Sequence, residues 1–231
     1  MKSFLSKIMK STSYNPEIIN GVFTVNAEGK KVKFAKGNLF WNGTEFRCEK
    51  NQYDYPKEWN RRHVGHFFWN KNDYLAKASL FFNFSRSNTD KFFASDNGAI
   101  EGYTVLNQIE WNYLLSHALA KNSSGENTIV IAGINCIVLK PDGFSGTVAD
   151  SYTAEQWTAA EEQYGLVALP FAGWRYDMAF DDSGSNGSCW SGTPHSNNSS
   201  YAYYAYFNSN KATTFNFIRD MGRSVRLVQV Q

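Results

Sequence analysis

The chain has 231 residues, of which 42% are hydrophobic, 16% aromatic and 19% charged. That length can bury a core without staples, and the composition is too apolar and too rich in rings for a disordered chain. With 23 basic against 21 acidic residues and a net charge of +2, the concentrated positive charge of an electrostatic nucleic-acid binder is missing, and no stretch has the apolar length for membrane insertion.

Residues 1–20 read as an N-terminal appendage, one or two helical turns ending at Asn15-Pro16, and residues 21–231 as one folded domain. Ser6, Lys7 and Lys10 interrupt the apolar run that a secretory signal needs. Either a signal has been removed, or the protein leaves its cell by another route, such as inside a virus particle. From Gly21, the runs VFTVN, KVKFA, NLFW and TEFRC alternate with short turn signals and predict a meander of hairpins. Residues 50–103, rich in Asn, Asp and aromatics without periodicity, read as a long packed loop region with room for one short helix.

Two helices are expected after that. In TVLNQIEWNYLLSHALAKN, Leu106, Ile109, Tyr113 and Leu114 form a stripe with Thr104 as N-cap. In TAEQWTAAEEQYG, Thr153 and Gln156 have capping-box spacing, Gly165 supplies the C-terminal stop, and Trp157, Ala160 and Tyr164 form the apolar face. Between them NTIVIAGINCIVLKPDGF predicts two tightly connected strands, and GLVALPFAGWR a buried one. The chain closes on GRSVRLVQVQ, a final strand with Val225, Leu227 and Val230 inward and Arg226 facing solvent or an ion partner. The sum is an α+β fold dominated by strands with two main helices.

Chemistry-bearing residues are sparse. His63 and His66 stand three apart, but Gly65 disfavours a helix there and no third ligand has a metal-site spacing. Glu161 and Glu162 fall on an expected solvent face, and Asp177, Asp181 and Asp182 in or near a Gly/Ser-rich loop lack an EF-hand spacing. No nucleophile elbow, phosphate-cradling loop or zincin helix is present, so no catalytic residue, metal or cofactor is expected. Cys48, Cys136 and Cys189 read as small buried hydrophobes, with one bridge plus a free thiol as the alternative.

The segment CWSGTPHSNNSSYAYYAYFNSNKATTF mixes rings with uncharged polar residues. Alternation puts Tyr201, Tyr203, Ala205 and Phe207 on one face and Ala202, Tyr204 and Tyr206 on the other, so the tyrosines read mainly as scaffold, with Trp174 and Trp190 as buried anchors. The flanking residues Thr193, His195, Asn197, Asn198, Asn208, Asn210, Lys211, Thr213, Asn216, Arg219 and Asp220 have no apolar periodicity and form the candidate ligand-binding set, against an ordinary solvated loop as the alternative.

FAKGNLFWNGTEFRCEKNQYDY, YTVLNQIEWNYLL, GINCIVLKPDGF, VALPFAGWR, CWSGT and YAYYAYFNS with GRSVRLV occur in one order. In that order they resemble a set of Bacteroidetes surface proteins related to the Fibrobacter major paralogous domain and, more distantly, to the formylglycine-generating-enzyme and C-type lectin fold. The resemblance implies a C-type-lectin-like single domain whose C-terminal strands and loops recognise ligand. Its relatives include adhesins, pilus-tip proteins, phage receptor-binding proteins and variable proteins of diversity-generating retroelements. The calcium-ligating lectin motifs are absent, and Cys189 stands alone where the oxidases have a reactive pair.

The expected function is therefore non-enzymatic recognition of a cell-surface glycan or protein receptor, on a virion or at the extracellular cell surface. Residues 1–20 would dock the domain to a virion or pilus carrier, and a homo-oligomer is compatible with this. A secreted or pilus-tip adhesin is the first alternative and an enzyme of the formylglycine-generating type the second.

Overall fold

In the computed structural model, residues 14–42, 46–57, 63–69, 81–83, 93–94, 98–99, 102–176 and 179–231 are described. Residues 1–13 of the expected N-terminal appendage, Asp177, and most of the loop region expected at 50–103 lie outside them, and residues 14–20 of that appendage are not helical. Among the described residues the fold is α+β: strands dominate and two helices are present. No helix among them is long and apolar enough to cross a membrane.

The first strands are β1 (Phe23–Thr24), β2 (Lys31–Phe34), β3 (Leu39–Trp41) and β4 (Phe46–Cys48). They make two antiparallel hairpins, β1–β2 and β3–β4, rather than the expected continuous meander. The reason lies at the other end of the chain. The last strand, Val228–Val230, pairs antiparallel with β2, while the Leu39 N–H donates to the Val225 carbonyl (2.9 Å), so the C-terminal segment occupies the edge that a meander would have used. Residues 14–20 lie against this body: Ile19 is buried and its N–H donates to the Phe34 carbonyl at 2.9 Å.

Four short strands follow, β5 (Phe68–Trp69), β6 (Phe81–Asn83), β7 (Phe93–Ala94) and β8 (Gly98–Ala99), paired in that order. Helix α1 (Gln108–His117) begins three residues later than Thr104 would have it. Thr104 is held by a two-way backbone bridge to Val228, and the cap falls to Asn107, whose Oδ1 accepts the Glu110 N–H while Glu110 Oε2 accepts the Asn107 N–H. The buried face rotates accordingly to Glu110, Trp111, Leu114 and Leu115, leaving Ile109 69% exposed.

Strands β9 (Ile129–Ile131) and β10 (Ile134–Leu139) form the expected tight hairpin, closed by Ala132 and Gly133 at φ 50° and 79°. After β11 (Ser151–Tyr152) comes α2 (Ala154–Tyr164), with the Thr153–Gln156 capping box and Gly165 in the left-handed region. Trp157 is buried as expected, but Tyr164 is largely exposed and Glu161, expected at the surface, is buried. Strand β12 (Val167–Pro170) pairs with β10 and is fully buried. Period-2 geometry makes these two strands a partition: Ile137, Leu139, Val167 and Leu169 enter the central cluster, while Cys136, Val138 and Ala168 enter the one under α2.

The remaining strands are β13 (Trp174–Tyr176), β14 (Ala179–Asp181), β15 (Asn186–Pro194), β16 (Tyr201–Asn208), β17 (Ala212–Ile218) and β18 (Val228–Val230). Strands β15, β16 and β17 form an antiparallel sheet in that order, with β16 at the centre. Of the expected anchors, Trp190 is buried and donates Nε1–H to the Phe67 carbonyl (2.6 Å), whereas Trp174 is only half-buried and reaches Asp182 Oδ2 (3.1 Å).

Arg226 is fully buried, so of the two expected settings, solvent or an ion partner, the solvent one is excluded. Its Nη2 donates to Gln52 Oε1 (2.7 Å), which also accepts the Ala168 N–H, while Gln52 Nε2 donates to Glu161 Oε2 (2.8 Å) and to the Leu166 carbonyl. Glu161 Oε1 pairs with Lys36 (2.8 Å). A buried guanidinium is tolerable only with such acceptors around it, and the chain ends of β4, α2 and β18 are tied together by them.

Candidate recognition surface

Sheet register decides which of the expected ligand-binding residues share a face. Tyr203 is opposite Asn216, Tyr201 opposite Ile218, Ala205 opposite Thr214 and Phe207 opposite Ala212. Helix α1 covers one half of this face: Asn112 Oδ1 accepts both the N–H and the hydroxyl of Thr214, and Ala205 and Phe207 enter the central cluster. The other half remains open, with Tyr201 and Tyr203 half-buried and Asn216 exposed.

His195 completes the open half. The Tyr201 carbonyl accepts the His195 N–H, and the imidazole stacks on Tyr203 with centroids 5.5 Å apart and planes 17° apart, its edge toward Tyr201 at 6.3 Å. His195 Nδ1 accepts the N–H groups of Asn197 (3.2 Å) and Asn198 (3.1 Å), and Asn198 Oδ1 accepts the Ser200 N–H (2.9 Å). The connecting loop is thus held by its own side chains, and with Nδ1 an acceptor the neutral imidazole carries its proton on Nε2.

The opposite face of the sheet is scaffold. Tyr204 and Ala202 are buried with Trp190 in a second cluster. Beneath them the Arg223 guanidinium lies 3.5 Å from the Tyr204 ring centroid and 5.2 Å from that of Trp190, and Nη1 donates to Ser188 Oγ (3.0 Å). Burial lowers Arg223 and Arg226 to about 10, so both stay charged at neutral pH.

The eleven candidate residues do not form one surface. His195, Asn197, Asn198 and Asn216 gather at the open end beside Tyr201 and Tyr203. Asn208, Asn210, Lys211 and Thr213 lie at the far end of the eight-residue β16, about 23 Å away by strand rise. There Asn208 Oδ1 accepts the N–H groups of Asn210 and Lys211, so it shapes the hairpin turn, Lys211 lies over Phe215 (4.4 Å), and Thr213 sits opposite Tyr206 on the other face. Thr193 braces α1 by accepting the Gln108 N–H (2.9 Å). Arg219 is buried, with Nε donating to the Tyr201 carbonyl (3.1 Å), and Asp220 is half-buried in the turn that follows β17.

Tyr201 and Tyr203 were missed as surface residues because alternation gives a face but not what covers each half of it. Phe215 and Phe217, 38% and 40% exposed, were missed too; TTFNFI carried the signal, an alternating strand with rings on both sides of a polar residue.

The other candidate chemistry disperses. His63 pairs with Glu49, while His66 is buried and bonded through Nε2 to the Ala172 carbonyl (3.0 Å). Burial, then the charges of Arg175 and Arg223, push His66 down to about 3. Asp181 and Asp182 are exposed, and no group of three or more acidic, His or Cys side chains among the described residues could hold a metal. All three cysteines are free thiols; burial raises Cys48 and Cys189 to about 12 and raises Cys136 as well.

No curated protein and no solved structure matches the chain. One family does, a domain of unknown function designated DUF8237, over residues 111–228. The match runs from α1 through the C-terminal sheet to the start of β18 and covers just over half of the chain. The chain therefore belongs to the DUF8237 family.

Proposed function

We propose that this is a non-enzymatic recognition domain of C-type-lectin-like architecture, displayed on a virion or cell surface, which binds a glycan or protein receptor through the open end of its C-terminal sheet. The observation that carries this reading is the Tyr203–His195 stack with Tyr201 beside it and Asn216 across from it. Rigid rings supply contact area at low entropic cost, and amides beside them donate and accept hydrogen bonds. The loop that carries His195 is pre-organised by its own bonds, which lowers the ordering cost of binding. Against an oxidase of the formylglycine-generating type stands the Cys189 thiol, buried and held protonated.

The test is a screen of labelled protein against whole cells and an array of glycans, repeated with His195→Ala and Asn216→Ala. Binding by the parent and a loss of tenfold or more in each variant supports the reading; undiminished binding by both removes this surface from it. Carrier docking belongs to the same reading, and deletion of residues 1–13 should abolish incorporation into particles or pili while leaving receptor binding intact.

A further inference from the structure

The outer edge of β17 is uncovered after Thr214, the residue that α1 holds. Edge strands are usually protected by charges, prolines, bulges or a covering element, yet residues 212–218 contain neither charge nor proline. The Asn208 N–H donating to the Lys211 carbonyl and the Arg219 N–H donating to that of Ser200 fix which β17 residues point their backbone toward β16. By that parity Thr214, Asn216 and Ile218 point outward. Asn112 takes the outward N–H of Thr214, and among the described residues nothing takes the N–H or C=O of Asn216.

We propose that a second copy of this chain pairs with this edge, β17 antiparallel to β17, about a two-fold axis at Asn216. The sequence around that axis is palindromic: Phe215-Asn216-Phe217. Two-fold pairing needs a self-complementary edge, and this one sets each Phe215 beside the partner copy's Phe217, covering four half-exposed rings in two cross-strand aromatic pairs. The two Asn216 residues exchange both backbone bonds at the centre, and the ladder stops there because Asn112 occupies the Thr214 N–H and the Ile218 carbonyl already accepts the Met221 N–H.

Ile109 gives an independent reason. It lies one turn before Asn112, the α1 residue that touches the outer edge of Thr214, and it is 69% exposed. In the Asn216-centred register Thr214 faces Ile218 of the second copy, so Ile109 overhangs the position of that side chain. The product is a six-stranded sheet with both His195–Tyr203 stacks on the same face. The dimer does not depend on those stacks binding anything, although it would make such binding bivalent.

Cross-linking tests the register directly. Asn216→Cys places two thiols at a hydrogen-bonded pair with a Cα separation of about 5.5 Å, within disulfide reach, while native Cys136 and Cys189 are buried and the parent chain controls for Cys48. Mild oxidation should convert this variant to a covalent dimer at least tenfold faster than Asn197→Cys, an exposed loop control. Phe217→Lys and Ile109→Lys, checked for an unchanged melting temperature, should each weaken the dimer tenfold or more in sedimentation equilibrium of the otherwise native chain. Equal cross-linking of the two cysteine variants, a monomer up to millimolar concentration, or a dimer unaffected by both lysine variants overturns the proposal.

Discussion

Gln52 shows how much one side chain can hold. It is wholly buried, all four of its contacts are with groups far away in sequence, and two of them are the charged Arg226 and Glu161. Gln52→Leu should therefore cost about 3 kcal/mol or more in denaturant unfolding, because it strips a buried guanidinium of its 2.7 Å acceptor. None of this was legible: Arg226 alternates with apolar neighbours as a surface residue would, and its acceptor lies 174 positions away in a stretch without periodicity. His66 carries a pH signature of definite sign. The unfolded chain binds its proton near pH 6.5 and the folded chain only near 3, so stability falls as pH falls between those values. This one group contributes a slope of up to about 1.4 kcal/mol per pH unit, and His66→Gln should remove that slope from stabilities measured between pH 6.5 and 4.

At the level of elements, what was legible was local. The α2 cap, its αL stop at Gly165 and the β9–β10 turn depend on residues within a few positions of one another, and sequence spacing located them. Helix α1 was displaced because Thr104 is taken by Val228, a partner no local pattern reveals. Thr153→Ala should cost about 1 kcal/mol through the lost α2 cap. Gly165→Ala should cost more, about 2–4 kcal/mol by thermal or denaturant melts, because φ is +69° and an added Cβ would stand 2.3 Å from the Gly21 nitrogen. Burial of β12 was expected from its continuous apolar run, but the division of β10 and β12 residues between two clusters needs the packed α2 to be seen.

Across the molecule, the C-terminal sheet divides into a scaffold face and a half-open face. Arg223, Trp190 and Tyr204 hold the first, while α1 covers the far half of the second and leaves the near half to His195, Tyr201, Tyr203 and Asn216. Sequence composition pointed to this sheet but merged its two ends into one site, since polar residues flank β16 on both sides and only the strand's length separates them. The most direct test of the proposed recognition surface is the dissociation constant, for cells that the parent protein binds, of His195→Ala/Tyr203→Ala, set beside a control, Glu162→Ala/Gln163→Ala, on the exposed side of α2. With melting temperatures within about 3 °C of the parent, the account predicts that the first variant binds at least tenfold more weakly while the control binds as the parent does. Equal binding by the two variants would contradict it.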